Sequence, residues 1–141
     1  MVRVNLINPT KLSDQHLIAE YNEILMLEAY IKKYPEINKE ETPKDYCLGK
    51  GHMKFFKNKL KYLEKRHKEL KKEMKARGFK TNKSVDVVLC GKENKKNWKP
   101  KDKDFKINKK RIKEKIELKP GFYRYFGKKK PKDFFKGLLD G

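Results

Sequence analysis

Cysteine and histidine are scarce in this sequence. Its two cysteines, Cys47 and Cys90, and its three histidines stand far apart, without the close spacing that a zinc or redox site needs. A chain without metal or cofactor is expected, its cysteines reduced thiols or, as the alternative, a single bridge. Long hydrophobic runs are missing as well. Nothing approaches the ~20 apolar residues of a membrane helix, and the start has no basic region followed by an apolar stretch that would mark a signal peptide. A cytoplasmic location without a membrane partner is therefore expected. After residue 49 acidic residues are also short in supply: 33 Lys/Arg stand against 11 Asp/Glu.

What is present is positive charge, unevenly placed. The net charge is +20, yet residues 1–49 carry 6 Lys/Arg against 8 Asp/Glu, a net of −2, and residues 50–141 carry a net of +22. Such asymmetry points to a polyanion, most often nucleic acid. A lysine-rich solvated surface is the plain alternative, because nearly all of the charge is lysine, which meets phosphate well and reads bases poorly. With 141 residues, 36% of them hydrophobic, the chain has material for one modest core.

Periodicity predicts an all-α single domain over 1–141: three main helices, an extended N-terminal arm, long loops and a basic tail from about 128. Residues 2–9 alternate apolar and polar up to Pro9. Ser13 and Asp14 are N-cap types and open a helix to about Tyr34. Leu17, Tyr21, Ile24, Glu28 and Ile31 share one face, with Ile18 and Leu25 beside it and His16, Glu20 and Glu23 along one edge. A long helix is expected over about 52–77, with Phe56, Leu60, Leu63, His67, Leu70 and Met74 as its stripe and Gly78 as C-cap. A third is expected over about 105–119, with Phe105, Ile112 and Ile116 inward. Val85, Val87, Val88 and Leu89 read as a short strand or a buried turn, and Phe134, Phe135, Leu138 and Leu139 as an apolar patch.

Three blocks then bear a resemblance. They are Val2-Arg3-Val4-Asn5-Leu6 followed by Asp14-Gln15-His16-Leu17-Ile18-Ala19-Glu20-Tyr21-Asn22-Glu23; Leu48-Gly49-Lys50-Gly51-His52-Met53-Lys54-Phe55-Phe56; and Phe122-Tyr123-Arg124-Tyr125-Phe126-Gly127-Lys128. In order, over roughly half the chain, they resemble the pyrimidine-dimer DNA glycosylase/AP lyase family. The resemblance implies repair of damaged double-stranded DNA by a monomer. The α-amine of Val2, exposed by removal of Met1, would attack the sugar, and Glu23 would be the catalytic carboxylate. The choice of nucleophile is physically sound, since an α-amine has a pKa of ~7.7–8.0 against ~10.4 for lysine.

Around that chemistry the resemblance implies Arg3 as a phosphate or substrate clamp, Gln15 as a hydrogen-bonding group at the lesion, and His16 and Asn22 beside it. Gly51 and His52 either turn backbone N–H groups toward phosphate at a helix start or merely allow a tight turn. Arg124 and Lys128 are phosphate contacts. Without the resemblance Glu23 would read as one more solvated helix glutamate, His16 as a helix-start histidine and His67 as a core histidine. The founding enzyme of the family has arginines where this chain has Asn22 and Met26. Two cations beside the carboxylate are thus missing, which bears on lesion preference more than on lyase chemistry.

Overall fold

The structure, a computed structural model, describes residues 3–86 and 91–141. Val87, Val88, Leu89 and Cys90 lie outside them, as does Val2; Cys47 is a free thiol. The fold is all-α, with five helices among the described residues and one small hairpin. α1 spans Asp14–Lys33, α2 His52–Phe56, α3 Leu60–Ala76, α4 Asp102–Leu118 and α5 Lys132–Asp140.

Local chemistry sets α1. The Ser13 hydroxyl accepts the His16 N–H as N-cap, and the helix stops before Pro35, which disfavours helical geometry in its predecessor. Its buried side, Leu17, Tyr21, Ile24, Leu27 and Ile31, packs on Leu60, Leu63, His67, Leu70 and Met74 of α3. Across the same seam Glu20 meets Arg66, both fully buried, through contacts of 2.7 and 3.0 Å. His67 is a core residue, stacked on Tyr21 with Nε2 at the Tyr21 carbonyl.

The single helix expected over 52–77 is broken. Residues 57–59 interrupt it because loop groups take the carbonyls that a continuous helix would use. The Asn94 amide donates to the Lys57 carbonyl, and the Lys96 N–H to the Asn58 carbonyl. α4 begins three residues earlier than periodicity suggests, since Asp104 accepts the Lys101 N–H and acidic residues suit a helix start. The Phe134–Leu139 patch is one face of α5, with Phe135 and Leu139 buried. Residues 81–86 form no strand.

Between α4 and α5, β1 (Arg124–Tyr125) pairs antiparallel with β2 (Lys128–Lys129) through a two-residue turn. Phe126 and Gly127 both have positive φ, 53° and 80°, as a type I′ turn requires. Phenylalanine is strained there, and the Asp14 carboxylate offsets this by accepting the N–H groups of Phe126 and Gly127. Asp14 also meets Arg77, whose guanidinium lies 4.5 Å from the Tyr125 ring centroid.

Candidate active-site cleft

An extended segment outside a sheet must find partners for its backbone. The arm finds them in side chains. Its Val4 N–H donates to His52 Nε2 at 2.7 Å, and its Val4 carbonyl accepts the Tyr46 hydroxyl at 3.1 Å. Leu6 and Ile7 donate to Asn108 Oδ1 at 2.8 and 3.3 Å, and the Asn108 amide donates to Asn5. Residues from the 35–49 loop, α2 and α4 thereby hold the arm against α1.

This seating creates a cleft of about 360 Å³ lined by Arg3, Asn5, His16, Ala19, Glu23, Arg111, Ile112 and Lys115. One carboxylate faces three cations. Burial raises the Glu23 pKa above the ordinary carboxylate value, opposed by a hydrogen bond from the Arg3 backbone N–H. Burial, and then the nearby Arg111, lowers Arg3. His16 falls to about 4 through burial, with Arg3 and Lys115 adding repulsion, so it is neutral at pH 7. Its ring stacks on Tyr123 at 4.7 Å and Nδ1 meets the Ser13 hydroxyl. A cleft with excess positive charge and partly buried groups favours an anionic ligand and strengthens the carboxylate's interaction with any cation formed inside.

Of the residues singled out in the sequence, the cleft gathers Arg3, His16 and Glu23. Gln15 faces a neighbouring hollow with Phe79, Phe122 and Arg124. Its amide is engaged by the hairpin, donating to the Phe122 carbonyl and accepting the Arg124 N–H. Asn22 is exposed and donates to the Ile18 carbonyl one turn back. Arg124 and Lys128 are exposed on the hairpin. His52 is buried in the arm's seat, its Nδ1 at the Cys47 carbonyl and its backbone N–H donated to the Gly49 carbonyl. Gly51 lies where a Cβ would come within 2.9 Å of Cys47 and Pro43. Val2 is outside the described residues.

Sequence reasoning missed Asn5, Asn108, Arg111 and Lys115. A signal existed for the last two: Arg111 and Lys115 are one turn apart, and Arg111 is one of five arginines among 39 basic residues. Among the described residues no cluster of His, Cys, Asp and Glu has the arrangement to hold a metal ion, and no helix is long and apolar enough to cross a membrane.

The family model for pyrimidine dimer DNA glycosylase matches residues 1–87. This chain belongs to the pyrimidine dimer DNA glycosylase family. The matched stretch holds the arm, α1, α2 and α3, and so Arg3, His16 and Glu23. Arg111 and Lys115, which complete the cleft, lie beyond it. DNA is the substrate that family membership implies.

Proposed function

We propose that this glycosylase is also a β-eliminating AP lyase, acting on cyclobutane pyrimidine dimers as a monomer through the α-amine of Val2 and the carboxylate of Glu23. The observation that carries the reading is the hydrogen bond from the Arg3 backbone N–H to Glu23. By bond connectivity alone the Val2 nitrogen is three covalent bonds from that nitrogen, which supports pairing the amine freed by removal of Met1 with this carboxylate. An α-amine is substantially neutral near pH 7, and a valine side chain is small enough for the methionine to be removed.

In this scheme the amine lone pair bonds to C1′ and the glycosidic bond breaks, the base leaving with the electron pair. The amine loses a proton and the sugar ring opens to a Schiff base. Glu23 offsets the positive charge that builds on the sugar and carries protons. Loss of a C2′ proton then expels the 3′ phosphate. Arg3, Arg111 and Lys115 hold the phosphates flanking the opened nucleotide, which must leave the base stack to reach the cleft. One copy of the chain, acting as a single catalytic unit, supplies every group.

The test is reduction with borohydride during reaction with an abasic or dimer-containing duplex, followed by peptide mapping. Intact mass of the purified protein reports removal of Met1. Covalent attachment at Val2 is expected. Attachment at an internal lysine, or undiminished trapping when Met1 is retained, would overturn the N-terminal mechanism.

A further inference from the structure

Lys59, between α2 and α3, stands apart among the described lysines. Its side chain is half-buried, with Nζ 2.8 Å from the Phe55 carbonyl oxygen, 2.9 Å from Asn58 Oδ1 and 3.9 Å from the centroid of the Phe55 ring. It lines a cavity of about 340 Å³ together with Lys39, Lys44 and Lys96, where Thr42 and Asn58 add neutral polar groups and Glu93 is the one carboxylate. None of these residues lines the Glu23 cleft. Burial, with repulsion from Lys96, lowers the Lys59 pKa to about 8.

Two physical features follow. Four amines around one carboxylate repel one another, and a bound anion relieves that repulsion. A neutral amine has two N–H bonds and one lone pair. The Phe55 and Asn58 oxygens provide acceptors for both N–H bonds, so that the lone pair is the one position of the nitrogen they do not occupy. An ordinary surface lysine, with a pKa of ~10.4, is almost wholly protonated at pH 7 and lacks both features.

We propose that this cavity is a lysine-acylation site, in which Lys39, Lys44 and Lys96 bind the phosphate of a small acyl phosphate and Lys59 Nζ takes its acyl group. The lone pair of Nζ forms a C–N bond to the carbonyl carbon. The bond from that carbon to the phosphate oxygen breaks, inorganic phosphate leaves with the electron pair, and one amine proton passes to solvent. The product is a neutral amide, which removes a positive charge from the face of the Phe55 ring. The site is independent of the chemistry proposed for Val2 and Glu23.

The experiment is incubation of the full-length protein with acetyl phosphate between pH 6 and 9, with time-resolved peptide mapping. Lys59 is expected to be acetylated at least about tenfold faster than the median lysine, since its free-base fraction at pH 7 is far larger. Its rate should climb through a midpoint of about 8, saturate with acetyl phosphate and fall when inorganic phosphate is added. K96E should slow it, by removing both an anion-binding amine and a neighbour that depresses the pKa. K59R keeps a cation at the Phe55 carbonyl and should remove the fast site while leaving cleavage of damaged DNA unchanged. Labelling of Lys59 at the pace of the other lysines, or fast labelling indifferent to inorganic phosphate, overturns the proposal.

Discussion

Residues 1–49 carry a net charge of −2 and residues 50–141 a net of +22, yet the two regions do not divide into a catalytic part and a DNA-binding part. The front supplies Arg3, His16 and the only carboxylate of the cleft, and the rear supplies Arg111 and Lys115 on α4. The rear also holds the front in shape, since His52 and Asn108 accept the arm's N–H groups. The carboxylate lining the cleft thus comes from the weakly charged region, and two of the three cations that face it come from the basic one.

Each region, and the seam between them, can be perturbed separately. Glu23→Gln removes charge and proton transfer from the front with little change of shape. Cleavage of an ultraviolet-irradiated duplex should fall by about 10²–10⁴-fold, with gel-shift affinity nearly unchanged; cleavage at the parent rate would take Glu23 out of the chemistry. Next in size is the seam between the regions. Arg66→Ala leaves the buried Glu20 carboxylate unpaired, and denaturant unfolding should show a loss of about 3–5 kcal/mol. A double variant with apolar residues of similar volume at positions 20 and 66 should recover most of it; equal losses in both would mean that packing, not charge, joins the regions.

The rear is tested by changing Arg111 and Lys115 together to serine. Affinity for duplex DNA should drop on the order of tenfold, and the log–log salt slope should shrink by about 0.9 for each phosphate no longer neutralised. Single-turnover cleavage of the bound complex should hold near the parent rate. An unchanged slope would remove these cations from phosphate binding.

The smallest effect concerns pH. All three histidines are depressed by burial: His16 to about 4, with His52 and His67 also below their ordinary value. A depressed histidine is neutral in the folded protein and takes a proton more readily when unfolded. Its stabilisation is full above the unfolded value of ~6.5 and is lost as pH falls, for His16 until about 4. Urea midpoints should therefore decline from pH 7 to pH 5, and His52→Gln should flatten part of that decline. A flat profile in the parent would show that these rings accept protons without disturbing the fold.

Much of this was legible in the sequence. The 3.6-residue stripes of α1 and α3 are local patterns and need no partner to be read. The blocks around Arg3, His16, Glu23 and His52 are continuous in sequence. The break at residues 57–59 left no trace, because it contains neither Gly nor Pro and arises from residues 94–96 docking on its carbonyls. Glu20 lies along one edge of the α1 apolar face, and nothing in their own stretches of sequence marks Arg66 and Asn108 as buried. Each is buried because a partner from another element satisfies it. Gln15 reads as a lesion contact, but its amide is engaged by the backbone of the hairpin.

The all-α class, the distribution of charge and the chemical groups available at the start of the chain are written in the sequence. Each depends on residues near one another in the chain: helical periodicity, capping chemistry and composition. Packing between distant elements sets which cations face Glu23, how the extended arm is held, and which lysine is driven toward neutrality. Those outcomes depend on burial and on polar groups meeting partners from distant elements. A buried N–H, carboxylate or ammonium takes whatever partner packing brings to it, and nothing in its own stretch of sequence names that partner.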